Sequence, residues 1–484
     1  MPDWLVTDDY DVARFLVQRG VGLAYLIAFV NVRNQFRPLL GEHGLLPVPA
    51  YLERTTFRDA PSLFHWRYSD RIIGVVAWAG AAVSAAAVAG GFDAIPLPVA
   101  LMGWLVIWGL YLSVVNVGQI FYGFGWESLL LEAGLAVALL GNGRTPTPIL
   151  AIVVLRWLLF RVEFGAGMIK MRGDECWRDL TCLEFHHETQ PMPGPTSRWF
   201  HLLPRWAHRT ETAANHVVQL GAPWLLFLPQ PVAAIGGTAM LLTQAYLVVS
   251  GNYAWLNFVT MVLALAAIPD AWFEQVGVDV GAASGAPSVW FGVVVIVAAS
   301  GMAWLSWRPA LNMFSSSQRM NASWNRFHLV NSYGAFGSVT RHRDEVIIEG
   351  TLDGTTWQPY EFKGKPTDPA RRPRQFAPYH LRLDWMMWFL ALSPRYGAGW
   401  FDRLIDRLLA ADPAVLALLA HDPFDGEAPR RVRARLARYR FSNRAERRAT
   451  GQVWIVSHDP HRTLVLRAAT GSPADRAGHG PPPH

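Results

Sequence analysis

Residues 156–193, RWLLFRVEFGAGMIKMRGDECWRDLTCLEFHHETQPMP, run from an apolar helix carrying Arg156, Arg161 and Glu163 straight into a polar loop that holds Cys176 and Cys182, the two cysteines of the chain. Ionisable groups are expensive in hydrocarbon, so a helix that keeps them must turn them toward a bundle interior or a wet cavity. The change to a charged loop marks the end of this helix as an aqueous face of a membrane protein.

Composition agrees. Of 484 residues, 51% are hydrophobic and only 17% charged, outside the range of an ordinary soluble domain. A transmembrane helix needs about 20 predominantly apolar residues. Candidate spans between Gly/Pro breaks are 12–31, 71–91, 98–120, 126–141, 147–170, 214–230, 231–250, 251–268 and 286–306. Gln18 and Arg19 interrupt the first, and 126–141 is short enough to be re-entrant or mismatched. The opening MPDWLVTDDY places Asp3, Asp8 and Asp9 where a secretory leader would be basic, so the first span is expected to serve as an uncleaved anchor. Trp66, Trp126, Trp255 and Trp307 fall near span ends, where an indole anchors at the interface.

The expected architecture is a polytopic α-helical membrane protein of about eight or nine helices with a C-terminal soluble α+β domain. Residues 1–307 form the multi-helix domain with polar loops 32–70 and 171–213; residues 308–465 form the α+β domain and 466–484 a disordered tail. Residues 308–484 hold 26 Lys+Arg against 16 Asp+Glu, so this region is basic and water-facing. Within it, EVIIEG (345–350), the Asp353-Gly354 turn and WQPYEF (357–362) read as two joined strands. Residues 383–392 and 400–420 have helical spacing, and 438–441 and 453–458 return to strand character. The tail GSPADRAGHGPPPH has too few apolar residues to offset chain entropy.

With nine crossings, both polar loops and the C-terminal domain lie on one side of the membrane. The arginine excess there argues for the cytoplasm, but the positive-inside rule weakens for long translocated domains. On charge alone the compartment stays open.

GEHGLLP (41–47), GFGWESLLLEAG (123–134), RGDECWRDLTCLEFHHETQPMPGP (172–195), SGNYAWLN (250–257), NSYGAFGSVT (331–340) and RRPRQFAPYHLRLDWMMWF (371–389) resemble the lipase maturation factor family, from about residue 12 to about 460. The last two blocks are long and non-repetitive, which makes them specific. The resemblance implies a membrane-embedded maturation or folding factor, a chaperone for a secreted lipase-like client protein. Eukaryotic members are endoplasmic-reticulum membrane proteins required for secreted lipases to reach their folded, active dimeric state. The compact, Arg/Ala-rich chain looks like a bacterial member, for which the matching place is the inner membrane with the large loops and C-terminal domain on the non-cytoplasmic, periplasmic side. GEHGLLP and the polytopic layout are faintly similar to the membrane domain of vitamin K-dependent γ-carboxylases.

Candidate contacts for client or lipid fall in the two specific blocks: Tyr333, Phe336, Arg371, Arg372, Tyr379, His380, Asp384, Trp385 and Trp388. The aromatic members suit exposed apolar client surface near the bilayer. Arg371, Arg372 and Arg374 suit anionic lipid headgroups or a plain solvated basic face. Nucleic acid is a poor partner for a domain outside the cytoplasm.

Cys176 and Cys182 are separated by five residues, and a turn through them would let the Cα atoms approach within the roughly 7 Å a disulfide requires. A structural bridge, free buried thiols and a redox role all remain open. Cys182, His186 and Glu188 are correct ligand types, but adjacent ligands without a distant second pair make a weak metal reading; no metal and no cofactor is expected. Glu127 and Glu132 on one span, with Arg156, Arg161 and Glu163 on another, are expected to pair with each other, line a polar pocket or move a proton.

No GxSxG, P-loop, GxGxxG after a strand, HExxH or CxxC is present, so the usual residue supply for hydrolytic, phosphoryl-transfer and thiol-exchange chemistry is missing. An enzyme is the lesser reading: a carboxylase-like or other membrane enzyme acting on a peptide or lipid through the Glu/Arg set with His186 or His187.

Overall fold

The computed structural model describes residues 3–468 except 282, 284, 286 and 287, without the side chains of 3, 458–466 and 468. The expected tail lies, from residue 469 on, outside the described residues.

In chain order the helical part comprises α1 (Asp11–Leu40), α2 (Asp70–Val88), α3 (Leu97–Val117), α4 (Gly125–Ala138), α5 (Ile149–Arg172), α6 (Leu183–Thr189), α7 (Arg205–Leu220), α8 (Val232–Ser250), α9 (Leu256–Ala264), α10 (Val289–Leu305) and α11 (Trp307–Phe314). Among the described residues five helices are long and apolar enough to cross a membrane: α1, α2, α3, α8 and α10 continued through α11. α5 has the length, at 24 residues, but carries Arg156, Arg161 and Glu163 along it. α4 spans only 14 residues, about 21 Å at 1.5 Å per residue, and is buried almost throughout.

The polar interruptions of α1 are satisfied within the bundle. Gln18 donates to the carbonyls of Val137 and Gly141, and Arg19 pairs with Asp93 at 2.9 Å. At its far end Asn31 and Gln35 donate to the His380 carbonyl, and the helix continues past the expected end at residue 31 to Leu40, so part of the supposed 32–70 loop is helical.

The stretch 214–230 is not one span. α7 begins inside the polar loop at Arg205 and stops at Gly221, and Pro223, Pro229 and Pro231 prevent its renewal as a long helix.

The C-terminal part holds an antiparallel sheet with strands β1 (Arg343–Thr351), β2 (Gln358–Pro359), β3 (Arg431–Phe441) and β4 (Trp454–Ala468), ordered β2-β1-β3-β4. Alternation along the strands sorts the faces. Val346, Ile348, Val432 and Ala434 join the main core, whereas Ile347, Tyr439, Phe441 and Trp454 form a smaller cluster opposite. The longest helices beside the sheet are α12 (Arg382–Leu392) and α13 (Phe401–Leu409). The run expected at 400–420 breaks at Ala411, whose φ of 46° ends the helix, and the strand expected at 357–362 shrinks to two residues.

One hydrophobic core runs through both parts. Leu381, Trp385, Met387 and Leu390 of the α12 region belong to the same cluster as Tyr25, Phe29 and Leu129 of the bundle. The C-terminal α+β unit is thus set into the helices rather than tethered beside them.

Candidate functional site

The charged residues of the spans are held by the C-terminal part. Glu127 on α4 is fully buried, accepts a hydrogen bond from the Tyr111 hydroxyl and pairs with the Arg382 guanidinium at 2.7 Å. Arg382 opens α12 and also donates to Asn31 Oδ1 and to the Phe121 carbonyl. Asn31 and Gln35 of α1 in turn donate to the His380 carbonyl. His380 lies in a cage of Phe124, Trp126, Trp255 and Trp385, ring centroids 4.8–5.9 Å away. Burial, reinforced by Arg382, holds its imidazole neutral. Trp126 and Trp255, expected at the membrane interface, are buried in this cage instead, while Trp66 and Trp307 are exposed.

A second junction forms at Glu132. Its carboxylate pairs with Arg161 on α5 and accepts from the backbone N–H and side-chain amide of Asn331 and from the Tyr333 hydroxyl, at 2.8–3.1 Å. Arg161 returns a bond to the Asn331 carbonyl at 2.8 Å. Among the expected partners only Glu132 and Arg161 meet. Arg156 donates to the carbonyls of Ala266 and Leu226 and to the Tyr10 hydroxyl. Glu163 accepts from Gln244 and Gln219. Each of these five side chains is buried and ties one segment to another.

The loop after α5 forms the third junction. Cys176 and Cys182 are joined in a disulfide with Cα atoms 4.7 Å apart. Asp174 caps the short turn between them by accepting from the Cys176 N–H, and Arg341 grips Asp174 at 2.8 Å. His186 shares a hydrogen bond with the Tyr253 hydroxyl at 3.0 Å, and burial holds its imidazole down at about 3. Glu188 accepts from the Phe441 N–H at 2.6 Å, and burial raises its carboxyl. With Cys182 in the bridge and these two side chains turned to different partners, the Cys182/His186/Glu188 metal reading has no common centre. Arg343, buried in β1, donates to the carbonyls of Glu188, Gln190 and Pro191 and pairs with Glu345, which also holds Lys365.

His187 behaves differently from its neighbour. It faces Glu211 of α7 at 3.3 Å, beside His208. Burial would raise the Glu211 carboxyl, but hydrogen bonding by His187 and His208 outweighs it and holds the group at about 2.

The residues expected to contact a client are mostly interior. Tyr333, His380, Asp384 and Trp385 are buried. Asp384 accepts from the N–H groups of Gly364 and Lys365, and burial raises its carboxyl. Tyr379 accepts from Gln35, and Trp388 donates its indole N–H to the Thr189 carbonyl. Phe336 packs on His186 and Tyr253 and accepts from the Trp177 indole. Arg371 staples its own loop through the carbonyls of Phe362 and Lys363, leaving Arg372 and Arg374 as the exposed cations of the three. Tyr333, His380 and Trp385 therefore present no surface to a client in this arrangement, whereas Phe336, Tyr379 and Trp388 are half-buried. Asn252, Tyr253 and Asn257 serve as glue: Asn252 caps Phe376 and Ala377, and Asn257 donates to Gln244.

Sequence reasoning missed Arg382, Arg343, Tyr111 and the pair Asn31/Gln35. Arg382 was legible: an arginine between Leu381 and Leu383 in an apolar run is the same signal that singled out Glu127.

Two family models match the chain: the lipase maturation factor transmembrane domain over residues 12–275 and the lipase maturation factor C-terminal domain over residues 329–461. Lipase maturation factor 1 of Homo sapiens is 40% identical over 94% of this chain and 88% of its own length. The Bos taurus protein of the same name is 39% identical over 92% and 87%. Lipase maturation factor 2 of Xenopus laevis is 27% identical over 90% of this chain and 79% of its own. No solved structure matches.

Proposed function

The chain belongs to the lipase maturation factor family, and from that premise we propose that it is a membrane-embedded maturation factor that assists the folding or assembly of a secreted, lipase-like client. The carrying observation is the extent of the likeness: both domains of the family are present, and the alignment with the human protein covers 94% of this chain. The site geometry supports a binding role over catalysis, because the buried carboxylates are neutralised by Arg382 and Arg161 and have no access to a substrate. Residues 32–70, 171–213 and the C-terminal unit meet in one body, through Arg407 to the His43 carbonyl, Arg198 to the Ser442 carbonyl and Arg343 to the 188–191 backbone. That body would face the non-cytoplasmic compartment, the periplasm in a bacterium, where exported chains fold and a disulfide persists. The exposed Arg372 and the outer surface around it would contact anionic headgroups or the client.

The test is co-expression of a secreted lipase with and without this protein in a host lacking its own maturation factor. Secreted lipase activity per unit of lipase protein should rise several-fold. Unchanged specific activity, with the factor present in the membrane, would remove the proposal.

A further inference from the structure

Three side chains that the anchoring network leaves aside converge between α6 and the first turns of α7. His208 and Glu211 stand three residues apart on one face of α7, and His187 approaches from α6. His187 Nε2 is 3.3 Å and His208 Nδ1 3.5 Å from the same Glu211 oxygen, Oε2. One donor atom from each residue lies within 4.8 Å of the other two. Both imidazoles are 2% exposed, and His208 Nδ1, deep in this cluster, meets Glu211 only at the long distance of 3.5 Å.

We propose that His187, His208 and Glu211 bind one divalent transition-metal ion of the zinc class. Two imidazole nitrogens and a carboxylate form a donor set suited to such an ion, and three protein ligands leave a fourth position for water. Donor atoms around a tetrahedral zinc with bonds of about 2.0–2.1 Å stand about 3.3–3.4 Å apart. Two edges of the cluster, 3.3 and 3.5 Å, are already close to that length, and with all three donor atoms within 4.8 Å of one another a small movement of one imidazole would close the third. The ion replaces the long His208 Nδ1–Glu211 contact with a direct bond to each. It also ties α6, which begins at the disulfide, to α7, so that the loop is fastened by the bridge at one end and by the metal at the other. His201 and Glu188 lie nearby, 3.3 Å from each other, but face Phe441 rather than the cluster, which makes His201 a control.

The experiment uses the full chain purified in detergent, stripped with a chelator, reloaded with zinc or cobalt(II) and desalted, with bound metal measured by mass spectrometry. One equivalent of zinc should be retained, and the cobalt form should show the intense visible bands of a tetrahedral site. Glu211→Gln and His208→Ala should each cut retained metal at least tenfold, while His201→Ala keeps the full equivalent. Thermal melting in chelator confirms that each variant is folded; if His208→Ala is not, the near-isosteric Glu211→Gln carries the comparison. Absence of retained metal in the reloaded wild-type chain, or full retention in folded Glu211→Gln, overturns the site.

Discussion

At the scale of single residues, the buried Glu127–Arg382 pair sets the sharpest expectation. Removing one partner of a buried pair leaves an uncompensated charge and costs about 3–5 kcal/mol, whereas replacing both is far milder. Arg382→Met should therefore abolish a monodisperse detergent-solubilised species, and adding Glu127→Gln should restore much of it. Size-exclusion profiles of the single and double variants decide this, and a double variant no better than the single one counts against the pairing. His328 gives a pH-dependent counterpart. Its Nε2 faces Asn116 Oδ1 at 3.0 Å, so Nδ1 accepts from the Ser323 and Ser128 hydroxyls, and burial holds the imidazole at about 4, below its usual 6.5. The unfolded chain takes up this proton first, so the contribution is complete above about pH 6.5 and lost as pH falls toward 4, on the order of 3 kcal/mol at most. Melting temperature should drop over that window, and His328→Gln should flatten the slope; parallel slopes contradict the assignment.

At the scale of elements, the sequence told helices from strands well where one force dominated. The apolar runs of α2, α3, α8 and α10 are governed by hydrocarbon compatibility, and their limits agree with the expected spans to within a few residues. Where partners decide, periodicity was blind: α1 runs nine residues beyond its expected end, and α7 starts in a supposed loop. The aromatic block 376–389 was recognisable as special, but not as interior, since only the folded chain shows Trp126 and Trp255 closing on His380. The disulfide loop is an element with its own test. Closing so short a loop restricts the unfolded chain by about 2 kcal/mol. Cys176→Ser with Cys182→Ser should lower the melting temperature by several degrees while leaving the bundle folded, and a thiol reagent should label the wild-type chain only after reduction. Labelling of the native chain without reductant would contradict the bridge.

At the scale of the whole molecule, the continuous core makes the C-terminal unit dependent on the helices. Leu381, Trp385, Met387 and Leu390 share one core with the bundle, and an isolated piece loses the packing of Trp385 on Phe124 and Trp126. Residues 329–468 expressed separately should aggregate or bind a hydrophobic dye strongly, whereas the full chain in detergent should not; a soluble, cooperatively melting fragment would show the unit to be self-sufficient. The net positive charge of 308–484 marks a C-terminal region that has its own sheet and helices, but charge, counted along the chain, carries no sign of the core this region shares with the bundle.

The reach of Arg382 back to Glu127 also constrains biosynthesis. The acid is made 255 residues before its guanidinium partner, so a ribosome must deliver most of the chain while that carboxylate waits in the growing bundle with only a phenol beside it. A premature stop anywhere between the two leaves a permanent acidic defect among the helices, visible to the proteases that survey newly inserted proteins. Completion of the polypeptide is thereby linked to its survival.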